Sequence, residues 1–117
     1  MRVLVLDDDV AFLEMMRSAL VEEGHGVLAA TDARAGLDLA HRSAPDVILL
    51  DVLMPGMDGP AFARAYSRLP GRHAPIIVVT GASSAAAARV ENAAAVLWKP
   101  FELEELMGVM REVSGQS

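Results

Sequence analysis

The feature that most constrains this chain is Val47-Ile48-Leu49-Leu50, a run of large aliphatic residues with no polar residue among them. A strand with one wet face alternates apolar and polar side chains, so an unbroken run reads as a strand buried on both faces of a parallel sheet. The run ends on Asp51. Met54-Pro55-Gly56-Met57 then puts Pro and Gly at the central positions of a type II turn, which carries the chain away from the sheet edge. A carboxylate is thereby set at the carboxyl end of a buried strand, where open α/β sheets place their ligands.

The same pattern recurs along the chain. Val3-Leu4-Val5-Leu6 is closed by Asp7-Asp8-Asp9, and Ile76-Ile77-Val78-Val79 follows Pro75 and is closed by Thr80-Gly81. Weaker strands are expected at residues 26–30 and 95–98, the second ended by Lys99-Pro100. Helical periodicity fills the intervals. Over residues 10–23, Phe12, Leu13, Met16 and Leu20 share a face and Gly24 stops the helix. Thr31 or Asp32 can cap a second helix with Ala33, Gly36, Leu37 and Ala40 inward, and Pro45 ends it. Asp58 and Pro60 start a third, with Phe62, Tyr66 and Leu69 inward and Pro70-Gly71 as the break. Residues 85–92, after Ser83-Ser84, are helix-forming by propensity but carry only Val90 as an anchor, which predicts a short, loosely held helix. Leu103, Leu106, Met107, Met110 and Val113 define a final amphipathic helix. Strands alternating with helices, joined by right-handed crossovers, require a parallel sheet between two helical layers.

Composition narrows the function. A chain of 117 residues is expected to form one domain, 1–117, with its core over about 2–113 and a tail at 114–117. At 53% hydrophobic and 4% aromatic residues, the core must be aliphatic and Ala-rich, with the seven Met residues as filler. The formal net charge of −6, with no cluster of Lys or Arg, argues against direct nucleic-acid binding and favours a cation or a basic partner. The absence of Cys excludes disulfides and thiolate metal sites and fits a reducing, cytoplasmic setting. The run from Val3 to Leu6 is far too short for a signal peptide or a membrane span.

In a parallel sheet the carboxyl ends of the strands share one edge, so Asp7, Asp8, Asp51, Thr80 and Lys99 are expected together. Strand order is not readable from these residues alone. If the first and third strands are neighbours, Asp7 and Asp8 face Asp51, and two carboxylates about 5 Å apart repel by roughly 3 kcal/mol at an effective dielectric near 20. A hard divalent cation, Mg²⁺, offsets this with oxygen ligands, and Lys99 adds a second positive charge. Beside those charges Asp51 is suited to act as a nucleophile towards phosphorus, since carboxylates form acyl phosphates. Lys99 and the Thr80 hydroxyl can stabilise the charge on a phosphoryl group in transfer, and Gly81 leaves room beside them.

The acidic residues after the first strand (LDDD), Asp51 in DVLMPGMDG, Thr80-Gly81 and Lys99-Pro100-Phe101 together resemble the receiver domains of two-component response regulators. The resemblance runs from Val3 to about Val113. It implies a flavodoxin-like three-layer (βα)5 α/β fold with a five-stranded parallel sheet in the order 2-1-3-4-5. It also implies that Asp51 accepts a phosphoryl group from a phosphohistidine of a sensor histidine kinase or a histidine phosphotransfer protein, switching interaction with an output protein. Asp8, Asp51 and the backbone carbonyl of Leu53 would hold Mg²⁺, with Asp7 acting through water. Thr80 would turn onto the phosphoryl group, and Lys99 would pair with Asp51 before transfer and with the phosphoryl group after it. The Lys99-Pro100 bond is expected to be cis. Such a chain is no enzyme in the usual sense, because it accepts the group on itself. By analogy, Val10 to Phe12 and Met15 form the kinase-docking surface.

The sequence departs from the family pattern in several places. Val96 stands where the family usually carries Tyr or Phe, and it cannot act as a rotamer switch. Trp98 is expected on the opposite side of that strand and so is no substitute. The interval from Thr80 to Lys99 is short, which weakens carry-over of the usual dimer face. Leu53 and Ala82 are both apolar, so neither orients an attacking water, and a long-lived phosphorylated state is expected. No effector domain follows, which suits a stand-alone or excised receiver. Asp9 is expected to cap the first helix, and His25, His41 and His73 lack metal spacing. Two rival functions remain. A phosphatase of the haloacid dehalogenase type would use Asp7 and Asp9, but it needs a further acidic pair and a cap for which the chain has no room. A receiver-like binding module that is never phosphorylated is the other.

Overall fold

In a computed structural model of the chain, which describes residues 1–52, 58–81, 89–90 and 92–115, the strands and helices follow the expected order. They are β1 (Arg2–Leu6), α1 (Val10–Glu22), β2 (Gly26–Ala30), α2 (Ala33–Ser43), β3 (Val47–Leu50), α3 (Gly59–Ser67), β4 (Ile76–Thr80), β5 (Ala93–Trp98) and α4 (Leu103–Val113). The turn expected at residues 54–57 and most of the helix expected at 85–92 lie outside the described residues.

All strand pairs are parallel, and the sheet order is β2-β1-β3-β4-β5. The three aliphatic runs occupy the three central strands, because only there does a sheet bury both faces. Their side chains divide by alternation. Leu4, Leu6, Ile48, Leu50, Ile76 and Val78 pack with Ala33, Ala40, Phe62 and Tyr66 of α2 and α3. Val3, Val5, Val47, Leu49, Ile77 and Val79 pack with Leu13, Met16 and Leu20 of α1 and with Leu106, Met107 and Met110 of α4. The filler role expected of methionine holds for Met16, Met107 and Met110, but Met15 is 58% exposed on the outer side of α1.

An aspartate opens each of the first three helices. The carboxylates of Asp9, Asp32 and Asp58 accept from the N–H groups of Phe12, Ala35 and Ala61 at 3.2, 2.8 and 2.9 Å, satisfying donors the helix itself leaves unpaired. Asp32, not Thr31, caps α2. At the other end of α1, Gly24 takes φ +90°, Gly24 N–H donates to Val21 O and His25 N–H to Leu20 O. This is a Schellman ending, and glycine fits it because it has no Cβ to clash at positive φ. His25 is half-buried beside it, and desolvation holds its imidazole below the ordinary histidine pKa.

Two differences from expectation fall on β5. The strand begins at Ala93 rather than at residue 95, and its pairing with β4 shifts between Ile76 and Ile77, so that Ala93 faces Ile76 and Ala95 faces Ile77. The extra residue, Ala94, makes a bulge. Consecutive alanines carry too little side chain to announce either the start or the bulge. Secondly, Trp98 does not lie across the strand from Val96. Residues two apart share a face, and both are exposed, Val96 at 39% and Trp98 at 49%.

Candidate functional site: an acidic cleft at the carboxyl edge of the sheet

The register of the central strands determines what meets at the edge. Leu6 of β1 pairs with Leu50 of β3, so the next residues, Asp7 and Asp51, emerge side by side. Asp51 N–H donates to Leu6 O at 3.0 Å, and Asp7 N–H to Ala30 O at 3.2 Å, which extends the ladders by one step and anchors both backbones. Asp7, Asp8 and Asp51 each offer a carboxylate oxygen, and these lie within 4.8 Å of one another. Their burial differs. Asp7 is 2% exposed, Asp51 is half-buried and Asp8 faces solvent.

A buried carboxylate needs hydrogen bonds or a counter-charge. Asp7 has both, since one oxygen accepts from Asp9 N–H at 2.9 Å and the other pairs with Lys99 Nζ at 2.7 Å. Asp9 thus serves twice, with its side chain capping α1 and its backbone holding Asp7. Asp7 and Asp8 directly precede the N-terminus of α1, whose positive dipole end favours nearby negative charge.

Thr80 ends β4 at 1% exposure, and Lys99 follows β5, with Lys99 N–H donating to Thr80 O at 2.9 Å. The Lys99-Pro100 peptide is cis, as expected. In the sheet order β3 and β4 separate β5 from β1, yet the Lys99 stem brings its ammonium to the acidic cluster. The structure therefore brings together Asp7, Asp8, Asp51 and Lys99, and sets Thr80 on the same sheet edge. The carbonyl of Leu53, expected as a further metal ligand, lies outside the described residues. Among the described residues, a Cβ added at Gly81 would meet Lys99 Cβ at 3.8 Å, an ordinary contact.

Two contacts escaped the sequence reading. Lys99 Nζ rests 4.0 Å from the centroid of the Phe12 ring, and Phe101 meets Phe12 edge-on with centroids 6.4 Å apart. Phe12 reads as an inner-face residue of α1, and no local pattern indicates that a residue beyond β5 will lie over it. Beside them a groove of about 460 Å³ is lined by Phe12, Met15, Lys99, Pro100 and Phe101.

Val52 and Gly59 approach each other closely. Gly59 N–H donates to Val52 O at 2.9 Å, and a Cβ on Gly59 would lie 2.7 Å from Val52 Cα, a backbone atom that cannot swing aside. Gly59→Ala is therefore expected to destabilise the fold by about 1–3 kcal/mol, as overpacking does. Urea unfolding beside the parent checks this, and an unchanged midpoint would mean that the Val52–Gly59 contact yields freely.

The donors fit a hard cation. All three are carboxylate oxygens, and an octahedral Mg²⁺ shell of about 2.1 Å radius sets its ligands roughly 3–4 Å apart, the scale of this cluster. Asp7 is already engaged by Lys99 and by Asp9 N–H.

A parallel sheet in this order, with acidic groups at the carboxyl ends of β1 and β3, defines the flavodoxin-like class with its ligand cleft at the switch point between those strands. Within that class, the family model described as the response regulator receiver domain matches residues 3–111, and the chain belongs to this family. It is 42% identical over 113 residues to response regulator MprA of Mycolicibacterium vanbaalenii, covering 94% of this chain and 48% of that protein. It is 39% identical over 114 residues to response regulator MprA of Mycobacterium leprae, covering 95% and 50%. The chain thus spans about half the length of these curated relatives. Among solved structures, a response regulator receiver domain protein from Clostridium thermocellum superposes with a TM-score of 0.87 at 26% identity, covering 97% of this chain and 94% of that one. The receiver domain of a sensor histidine kinase from Pseudomonas aeruginosa PAO1, with a magnesium ion coordinated in its active-site cleft, gives 0.87 at 25% identity, covering 98% of each. Among the described residues, no helix is long and apolar enough to cross a membrane.

Proposed function

We propose that residues 1–117 act as a single phosphoacceptor receiver domain in which Asp51 takes a phosphoryl group from a phosphohistidine of a sensor histidine kinase or a histidine phosphotransfer protein. The observation that carries this reading is the meeting of Asp51, Asp7 and Asp8 within one small cluster, with the Lys99 ammonium on its buried member. A carboxylate oxygen of Asp51 attacks phosphorus, the Asp51 O–P bond forms and the P–N bond breaks, and its electron pair returns to the imidazole nitrogen. Asp8, Asp51 and the Leu53 carbonyl, with Asp7 acting through water, would hold Mg²⁺, which would supply positive charge to the phosphoryl group. Lys99 moves an ammonium donor onto the transferred group, and Thr80 offers its hydroxyl to another oxygen.

Val10 and Met15, both exposed on α1, with Met15 lining the groove next to Lys99, suit the approach of the donor protein. The phosphorylated form switches binding of an output protein, and the setting is cytoplasmic. Turnover of an external substrate is not part of this function. Incubation with acetyl phosphate and Mg²⁺ followed by intact mass measurement tests the reading. One phosphate adduct per chain is expected. No adduct would favour the unphosphorylated binding module, and repeated hydrolysis of a phosphoester would favour the phosphatase.

Because Leu53 and Ala82 are apolar, no side chain at either position directs a water at phosphorus. The adduct is therefore expected to outlast removal of acetyl phosphate by minutes or more, followed by mass over time. Its loss within seconds would contradict this.

A further inference from the structure

We infer that Phe12 is a positioning residue for Lys99, its ring face holding the ammonium where a phosphoryl group on Asp51 can receive it; this rests on the phosphoacceptor reading above. A lysine carries its charge on a flexible stem, and one contact leaves that stem free to pivot. Two contacts are described for it here. Asp7 Oδ2 takes the ammonium at 2.7 Å, and the Phe12 ring supports it from α1, with the charge 4.0 Å from the centroid. The ring's negative face attracts a cation within about 6 Å of its centroid. Phe101, meeting Phe12 at 82° and 6.4 Å, fixes the plane of that ring.

The chemistry of the second contact matters. A carboxylate in place of Phe12 would hold the ammonium more strongly, but it would compete with the arriving phosphoryl group for the same charge. An aromatic face attracts the cation without bringing an anion. An ammonium has three donors, of which Asp7 takes one, and the ring takes none in the manner of an oxygen acceptor. Phe12 also belongs to the rim of the core between α1 and the sheet, where leucine would fill similar space. Size alone therefore does not account for the stacking of a charge on its face.

The decisive experiment replaces Phe12 site-specifically with mono-, di- and pentafluorophenylalanine in the full chain, which drains the ring face of negative potential at nearly constant size. Leu and Trp variants complete the series. The initial rate of labelling by acetyl phosphate with Mg²⁺ is expected to fall stepwise with fluorination, to about a fifth for pentafluorophenylalanine and for Phe12→Leu, and to be retained in Phe12→Trp. Melting midpoints should not follow that order. In a Lys99→Met background the fluorination series should be flat, because the group through which Phe12 acts is gone. A flat series in the parent, or rates that merely track the midpoints, overturns the positioning role alone. A parent chain that takes up no phosphate overturns the phosphoacceptor reading, and this inference with it.

Discussion

Replacing Asp51 by Ala is expected to abolish phosphoryl labelling of the chain while leaving it folded. The backbone of Asp51 is held by its N–H on Leu6 O, a contact that does not involve the side chain. Half-buried at the mouth of the cleft, the carboxylate fills no packed space whose loss would leave a core cavity. Its removal also takes one negative charge out of a cluster in which each close pair costs roughly 3 kcal/mol before counter-ions are counted. In chelator, Asp51→Ala should therefore still melt as a folded protein, while the stabilisation gained on adding Mg²⁺ should shrink. Asp51→Asn is the stricter control, because it keeps the shape and replaces the nucleophile by an amide. Mass measurement after acetyl phosphate treatment checks both variants. An adduct of undiminished yield in either would move the acceptor to another residue and end the assignment of Asp51.

Lys99→Met is expected to act on both stability and transfer. The methionine keeps much of the apolar stem against Phe12, so the change isolates the charge. Asp7, at 2% exposure, would then retain only the Asp9 N–H among the two contacts described for it. Removing the lysine leaves its buried partner Asp7 without a counter-charge, a loss of about 3 kcal/mol. That loss should appear in chelator and be largely reversed by Mg²⁺, whose charge can replace that of the ammonium; the stabilisation on titration is therefore larger than in the parent. Labelling is a separate matter. Without an ammonium on the transferring phosphoryl group the rate should fall about 100-fold, the scale of losing one preorganised charge-stabilising donor. Thermal melting with and without Mg²⁺, and the initial rate of adduct formation, test the two parts separately. A variant as stable in chelator as the parent would show that Asp7 does not depend on Lys99.

These two outcomes bear on different kinds of inference. The acceptor role of Asp51 was proposed from its place after an all-aliphatic run, and the register Leu6 with Leu50 then set it beside Asp7. The pairing of Lys99 with Asp7 in the resting chain could not be read in that way. It depends on a long side chain crossing the strand edge, and the sequence-based expectation named only Asp51 as its partner. The same is true of Phe12, whose place on the inner side of α1 was legible while the cation above it was not. At β5 the residues misled, because Ala93, Ala94 and Ala95 carry no pattern to mark a bulge, and because the alternation that puts Val96 and Trp98 on one face was misassigned.

What the amino-acid order determined by itself is whatever repeats locally: three buried strands from unbroken aliphatic runs, helix starts at Asp9, at Thr31 or Asp32 and at Asp58, a stop at Gly24, and charged residues at strand ends. Hydrophobic periodicity and capping act within a few residues, so they can be read along a line. The tertiary structure alone decided that the lysine reaches Asp7, which ring lies beneath it, and that Gly59 must be small because Val52 comes within contact distance. Those facts depend on distances between segments remote in the chain, and such distances exist only once the sheet and its covering helices have packed.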